Sequence, residues 1–285
     1  MTALPALALI RTVAELRAQV GSLRNAGKRI GFVPTMGALH EGHLALVGEA
    51  RRRSDAVVAS VFVNPTQFAA HEDLGTYPRQ EARDAELLAG AGCSILFAPD
   101  AAEMYPDGFA TSVKVGGPSA GLETDFRPHF FGGVAVVVAK LLNQVQADVA
   151  VFGDKDYQQL MVVRRMARDL DIPTEIVGAP TVRDAHGLAL SSRNAYLSAD
   201  ELAVARRLNV ILREAADRAK AGEPVSAVEA AAADALLKAG FAEVDYVAIR
   251  HAETLAPLSG VVDAPARILA AAWLGKTRLI DNMAV

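Results

Sequence analysis

Two histidines three residues apart, His40 and His43, are the side chains in this sequence best suited to chemistry. They follow a short apolar segment, residues 31–33, and precede the apolar spacing of a helix that starts near Leu44. A helix that begins here directs its N–H groups and a partial positive charge at whatever lies before it, which favours an anion. Imidazoles can donate hydrogen bonds to phosphate oxygens and, when protonated, offset charge that builds up there. The spacing is therefore suited to phosphoryl chemistry.

The histidine pair alone does not define a site, since two histidines on a helix are more often structural than catalytic. Its spacing differs from the His-Glu-x-x-His signature of zinc proteases, because only Glu41 and Gly42 separate the two histidines. Gly42 also weakens the helix at that point. We therefore predict no protein-bound metal here, and the position after a strand favours an anionic ligand.

Three further polar segments follow predicted strands or their loops, where open α/β sheets bind their ligands. Residues 64–68 read Asn-Pro-Thr-Gln-Phe, and an amide there can both donate to and accept from a polar substrate. Lys155 adds a point charge for phosphate at a predicted helix start. The serines and arginine of residues 190–194 are suited to holding pyrophosphate. Each segment has a structural alternative, namely a plain turn, a solvated charge or a polar loop.

The elements that position these segments alternate along the first part of the chain. Short apolar runs rich in β-branched residues indicate strands buried on both faces, and helical patterns lie between them. This alternation predicts a parallel sheet with crossover helices. The predicted strands are 31–33, 56–63, 93–97, 148–152 and 174–177, and predicted helices cover 12–27, 79–89, 134–145 and 157–169.

The pattern changes in the last third of the chain. Capping boxes at Ser198 and Ser226 predict the starts of two alanine-rich helices. Strand-like runs follow at 244–249, 267–273 and 277–280.

Together these patterns predict an α/β fold class. We expect a Rossmann-like doubly wound parallel sheet in residues 1–182 and a smaller α+β C-terminal lid domain in residues 183–285. Residues 275–277 read Gly-Lys-Thr like the end of a P-loop, but Ala270 stands where its leading glycine belongs and the segment lies between predicted strands. No Gly-x-Gly-x-x-Gly follows a predicted strand, so a dinucleotide cofactor is not expected.

Composition favours a globular protein with a small-molecule ligand. Of 285 residues, 52% are hydrophobic and 22% charged, which is ordinary for a chain with a sizeable core. Lys and Arg number 29 against 33 Asp and Glu, and this net charge of −4 argues against nucleic acid or an anionic membrane as partner. The one cysteine, Cys93, lies in an apolar run and is expected to be buried. Residues 1–10 lack a basic leader, so a cytoplasmic location is expected.

Five segments, in a fixed order, resemble the pantothenate synthetase family of the nucleotidyltransferase superfamily. They are residues 34–43, 64–68, 104–107, 153–159 and 191–194. The superfamily as a whole shares only the His-x-Gly-His turn and a basic-serine loop, so the longer set is specific. The resemblance spans the first predicted domain and the start of the second.

The resemblance implies roles for individual residues. His43 is expected to be the acid that aids departure of pyrophosphate, with His40 and Lys155 as further catalytic residues. Gln67 and Gln159 are expected to bind pantoate and β-alanine. The residues expected to bind ATP are Met36, Gly37, Ala38, Leu39, His40, Glu41, Gly42, His43, Gly153, Asp154, Lys155, Asp156, Val182, Leu190, Ser191, Ser192 and Arg193.

Three positions depart from the family pattern. The family usually has Glu at Asp154 and Met at Leu190, and backbone contacts at both would survive such changes. Phe130 stands where the family commonly has histidine, so the role of that histidine does not transfer to this chain.

The resemblance also implies the reaction. ATP would activate pantoate as a pantoyl adenylate, β-alanine would attack it, and AMP and pyrophosphate would leave, with Mg²⁺ on the phosphates. Asp84 could reach such a metal, but we expect an exposed carboxylate on a helix face and assign no protein ligand. The family implies a homodimer. The alternatives are an adenylyltransferase that leaves AMP on its product and a nucleotide sensor without turnover.

Overall fold

The apolar runs of the first part of the chain form a parallel sheet. The computed structural model describes residues 7–68, 73–75 and 77–285, so the first six residues of the apolar N-terminal stretch lie outside the described part. Within that part, six strands pair in parallel in the order β1-β4-β3-β2-β5-β6. They are β1 (Ala8–Ile10), β2 (Ile30–Thr35), β3 (Ala56–Val61), β4 (Ile95–Phe97), β5 (Val149–Gly153) and β6 (Glu175–Ala179).

Helices connect the strands, as predicted for a doubly wound fold. Thr12 and Glu15 form the expected capping box at the first of them, where the Thr12 hydroxyl accepts from the Glu15 N–H at 3.3 Å. The helices up to residue 169 are α1 (Val13–Asn25), α2 (Glu41–Arg53), α3 (Glu81–Gly90), α4 (Ala101–Met104), α5 (Glu123–Phe126), α6 (Phe130–Val145) and α7 (Tyr157–Asp169).

The strand order reverses between β2 and β5, which are neighbours in the sheet. From β2 the chain continues to β3 and β4 on one side, whereas from β5 it continues to β6 on the other side. Ligands of such sheets bind at the carboxyl ends of the strands beside this switch point. The His40 turn, which follows β2, therefore occupies the position where a doubly wound fold binds its ligand.

β1 and α6 are among the elements that differ from the sequence-based expectation. β1 is missing from the prediction because three residues at a sheet edge carry too little periodicity. α6 begins at Phe130 rather than near Val134, although Gly132 and Gly133 favour a later start. Gly133 is buried against the backbone of residues 66 and 67, and packing there outweighs its low helix propensity.

The last third of the chain forms an antiparallel sheet with two helices. The strands pair in the order β7-β8-β9 and bury a core of small and branched side chains against the helices. Residues Gly275 and Lys276 connect β8 to β9, so the Gly-Lys-Thr segment is a hairpin turn, as expected. The elements are α8 (Ala199–Lys220), α9 (Val225–Ala239), β7 (Glu243–His251), β8 (Ala266–Leu274) and β9 (Thr277–Ala284).

The two predicted capping boxes have different outcomes. Ser198 caps α8 and accepts from the Glu201 N–H at 3.2 Å, which confirms the first. The second is wrong, because α9 starts one residue before Ser226 with Pro224 at its N-cap. This helix start has no side-chain cap hydrogen bond, and Glu229 instead accepts the Ile249 N–H at 2.7 Å.

The chain divides into two compact units. The first comprises Met1–Val115, Arg127–Asp154 and Val162–Pro180, and the second Gly116–Phe126, Lys155–Met161 and Thr181–Val285. The predicted domain boundary after residue 182 stays a prediction. No helix among the described residues combines the length and hydrophobicity that crossing a bilayer requires.

Candidate active site

The turn after β2 has a backbone that few residues can adopt. Gly37 and Ala38 both have positive φ angles, 84° and 51°. A Cβ at Gly37 would lie 2.9 Å from Asp84 Oδ2 and 3.0 Å from Val61 Cγ1, so only glycine fits. Thr35 Oγ1 accepts the Gly37 N–H at 3.2 Å, which ties the turn to the end of the strand.

Asp84 of α3 binds the backbone of this turn through two hydrogen bonds. Its Oδ2 accepts the Ala38 N–H at 2.9 Å and its Oδ1 accepts the Leu39 N–H at 2.8 Å. The side chain is buried, with 1% exposure. The prediction of an exposed helix-face carboxylate is therefore wrong, because α3 turns Asp84 toward the core beside Leu88.

Burial raises the pKa of Asp84, while the hydrogen bonds from Leu39 and Ala38 act in the opposite direction. A carboxylate with two backbone donors fixes the direction of both peptide groups. The Asp84 carboxyl group thus organises the turn through contacts within the chain.

His40 and His43 form a capping box at the start of α2. His40 is the N-cap residue, and its Nδ1 accepts the Gly42 N–H at 3.1 Å. His43 Nδ1 accepts the His40 N–H at 3.3 Å. The ring centroids are 4.1 Å apart. The two rings therefore lie close together, and His40 precedes the helix instead of lying in its first turn.

The capping box fixes the tautomer of both rings. Because each Nδ1 accepts a backbone N–H, each neutral imidazole carries its proton on Nε2. The N–H groups of Gly37, Ala38 and Leu39 have acceptors within the chain, as does that of Gly42. An anion at this helix end would be favoured by the Nε2–H groups and by the helix dipole.

Asn64 sets the orientation of the Gln67 amide. Asn64 Nδ2 donates to Gln67 Oε1 at 3.1 Å and to the Gly133 carbonyl at 3.2 Å. The Tyr105 hydroxyl donates to Asn64 Oδ1 at 2.8 Å, which fixes the Asn64 amide in turn. Gln67 Nε2 is left to face Met36 Sδ, a weak acceptor, at 3.0 Å. A substrate oxygen that replaced this sulfur would gain a stronger hydrogen bond.

The segment that carries Gln67 is also held by the start of α6. Arg127 donates to the Gln67 carbonyl at 3.4 Å, and its guanidinium lies 3.9 Å from the centroid of the Phe130 ring. Phe130, which replaces the usual family histidine, thus stacks on an arginine that supports this segment.

The two consecutive glutamines of α7 have different surroundings. Gln158 is buried and its amide is fully used, since Oε1 accepts the Glu123 N–H and Nε2 donates to the carbonyls of Pro118 and Gly121, each at 3.1 Å. Glu123 is in turn bound by Arg278 at 2.8 Å. Gln159 is partly exposed, and its side chain makes no hydrogen bond to another described residue. Of the two, Gln159 has the amide available for a substrate.

Residues 182–193 bring together several predicted ATP-binding positions. The Leu190 N–H donates to the Val182 carbonyl at 2.9 Å. Ser191 Oγ accepts the Arg193 N–H at 3.3 Å and caps the short turn that contains Ser192. Ser191, Ser192 and Arg193 consequently lie in one loop of the second unit.

The predicted residues fall into two groups. Met36 to His43, Gln67, Gly153 and Asp154 belong to the first unit. Lys155, Asp156, Gln159, Val182 and Leu190 to Arg193 belong to the second. The assignment of these residues to ATP and to the other substrates stays a prediction.

Sequence reasoning placed Asp84 wrongly and missed the part played by Tyr105. A signal for Asp84 existed, because it lies four residues before the buried Leu88 and hence on the same helix face. Tyr105 offered no comparable signal, since its contact with Asn64 joins residues that are 41 positions apart.

Comparisons with known proteins identify the family of this chain. A sequence model of the family described as pantoate-beta-alanine ligase matches residues 8–284. Pantothenate synthetases from Mesorhizobium japonicum and Caulobacter vibrioides are 60% and 61% identical, over 97% of this chain and 97% and 98% of theirs.

Solved structures agree as well. The crystal structure of pantothenate synthetase from Thermus thermophilus superposes with a TM-score of 0.90 at 52% identity, covering 97% of this chain and 98% of that one. A pantoate-beta-alanine ligase from Francisella tularensis, complexed with beta-gamma ATP and beta-alanine, has a TM-score of 0.81 at 33% identity and 98% coverage of both chains. By fold and by sequence over nearly its whole length, this chain belongs to the pantoate-beta-alanine ligase family.

Proposed function

We propose that this protein condenses pantoate with β-alanine, using ATP and releasing AMP and pyrophosphate. The observation that carries the proposal is the pair of adjacent imidazoles at the end of β2, in a chain that matches the ligase family from residue 8 to residue 284. The Francisella relative, crystallised with beta-gamma ATP and beta-alanine, supports the choice of substrates.

The first step activates the acid. A pantoate carboxylate oxygen attacks the α-phosphorus of ATP, the bond from that phosphorus to the bridging oxygen breaks, and pyrophosphate leaves. His40 and His43 donate hydrogen bonds from Nε2–H to phosphate oxygens, and His43 acts as the acid that aids departure of pyrophosphate. Lys155, Ser191, Ser192 and Arg193 offset its charge.

The second step forms the amide. The β-alanine nitrogen attacks the activated carbonyl, the bond from that carbon to the AMP oxygen breaks, and the nitrogen gives up a proton. Gln67 and Gln159 bind the pantoate oxygens. The orientation imposed by Asn64 makes Gln67 a donor toward substrate, which suits a carboxylate or hydroxyl oxygen.

Mg²⁺ enters this proposal with ATP. Among the described residues, no group of three or more His, Cys, Asp or Glu side chains could hold a metal ion. We write the nucleotide substrate as MgATP, in which the ion would offset charge on the phosphates. We further propose that the protein is a cytoplasmic homodimer, as the family resemblance implies. Light scattering of the purified protein would test the dimer.

The decisive test is isotope exchange. The purified protein should exchange labelled pyrophosphate into ATP when pantoate and Mg²⁺ are present and β-alanine is absent, because the first step needs no amine. An adenylyltransferase would not depend on pantoate, and a sensor would exchange nothing. Exchange that requires β-alanine, or that proceeds equally without pantoate, would disprove the two-step reaction.

The glutamines provide a second test. Gln67→Ala and Gln159→Ala should each lower kcat/KM for pantoate, by an amount that corresponds to a loss of roughly 1–3 kcal/mol of transition-state stabilisation. The effects on KM for ATP should be much smaller. Gln67→Glu keeps the acceptor for Asn64 but places a negative charge toward substrate, so it should be worse than Gln67→Ala. Equal losses for pantoate and ATP in steady-state kinetics would show that these glutamines are structural.

A further inference from the structure

Strand β9 places two polar residues in succession, Asp281 and Asn282, each only 3% exposed. Polar groups are buried at a cost unless they are hydrogen-bonded, so their partners reveal what the strand holds. Asp281 binds the Arg183 guanidinium through both oxygens, at 2.7 and 2.8 Å. The Asn282 amide donates to the Lys155 carbonyl at 2.8 Å. Both partners border segments proposed to bind ATP.

The Asn282 amide is fixed in one orientation. Its Oδ1 accepts from Arg267 Nε, and Arg267 lies on β8 opposite Ala284, two residues further along β9 and on the same face. The Arg267 guanidinium also lies 3.9 Å from the centroid of the Tyr157 ring. Since the oxygen faces Arg267, the NH₂ group must face Lys155.

The contact acts on a backbone atom at the start of α7. A lysine ammonium sits on a flexible four-carbon stem, so its position is only as well defined as the backbone that carries it. The donor from Asn282 fixes the peptide group between Lys155 and Asp156, and the Arg267 contact with Tyr157 holds the next residue. Within the second unit, this short segment is therefore anchored to the sheet at closely spaced residues.

We propose that Asn282 is a positioning residue for the adenylation step, which it serves by fixing the backbone of Lys155. This inference rests on the proposed function, in which Lys155 binds phosphate. Asn282 itself is not proposed to contact a substrate. Its loss should therefore act through Lys155, which distinguishes it from a residue that only stabilises the fold.

Two variants separate positioning from stability. Asn282→Ala removes the amide contacts with Lys155 and Arg267. Asn282→Asp keeps an acceptor for Arg267 and turns an oxygen, instead of a donor, toward the Lys155 carbonyl. Val228→Ala creates a cavity in α9 at a residue with 0% exposure and serves as the control for lost stability in the same unit.

The measurement is pantoate-dependent pyrophosphate exchange, with the unfolding midpoint recorded for each variant. Asn282→Ala and Asn282→Asp should each lower the exchange rate about tenfold, the loss expected of one hydrogen bond. In a Lys155→Ala background, Asn282→Ala should change the residual rate by less than about twofold, because coupled residues are not additive.

Three results would overturn the inference. Asn282→Ala could lose no more exchange than Val228→Ala, Asn282→Asp could restore the parent rate, or the Lys155→Ala background could leave the effect of Asn282→Ala undiminished. Failure of the proposed function is a separate result, since the unmodified protein would then show no pantoate-dependent exchange at all.

Discussion

Replacement of His43 by alanine should lower turnover by about 10² or more while ATP binding changes little, because a contact to the leaving group matters most in the transition state. Steady-state turnover and nucleotide titration of the same preparation measure the two quantities. The variant also loses the acceptor for the His40 N–H, which lies 3.3 Å from His43 Nδ1. A control for that lost cap is therefore needed.

Asparagine and glutamine supply the control. His43→Asn places an oxygen near the Nδ1 position and can keep the cap, whereas His43→Gln places an N–H donor near the Nε2 position. If His43 acts on phosphate, the glutamine variant should recover more activity than the asparagine variant. The opposite order, or turnover of the alanine variant within a few-fold of the parent, would make His43 a capping residue only.

Replacement of Gly133 by alanine should damage both stability and pantoate use. A Cβ at this position would lie 2.5 Å from the Thr66 carbonyl oxygen and 2.7 Å from the Gln67 nitrogen, and these are backbone atoms that cannot rotate away. Overpacking of this kind costs typically about 1–3 kcal/mol. The displaced backbone carries Gln67, so KM for pantoate should rise together with the fall in the unfolding midpoint.

The neighbouring glycine is the matched control. A Cβ at Gly132 would meet no atom within 4 Å, so Gly132→Ala should stabilise α6 by roughly 0.5–1 kcal/mol through helix propensity alone. Thermal unfolding and pantoate kinetics of the two variants give the comparison. Similar behaviour of both would contradict the close approach of α6 to residues 66 and 67.

The sheet and the histidine turn were predictable from the sequence because their signals are local. The apolar run of residues 31–33, the glycines on either side of His40 and the apolar spacing of α2 together define a strand, a turn and a helix. The predicted fold class is confirmed by the strand order and by the similarity to the Thermus structure. Continuous apolar runs were sufficient there because β2 to β5 are largely buried on both faces.

The features that organise the site were less predictable because they join distant segments. Asp84 was assigned to the surface, although its i, i+4 relation to Leu88 places it on the buried face of α3. The capping box predicted at Ser226 did not form, because α9 begins one residue earlier and Glu229 binds the Ile249 N–H of a distant strand. The orientation of the Gln67 amide depends on Asn64 and, through it, on Tyr105, and no spacing rule reports such a relay.

Strand β9 also has a consequence for how the protein is made. Its Arg278 binds Glu123, which is 155 residues earlier in the chain, and its Asn282 binds Lys155, which is 127 residues earlier. A ribosome therefore releases both early segments long before it synthesises the strand that fixes them. The nascent chain can pair β1 to β6 during that interval, but Lys155 acquires its backbone anchor only after β9 emerges, so this part of the second unit completes its fold last.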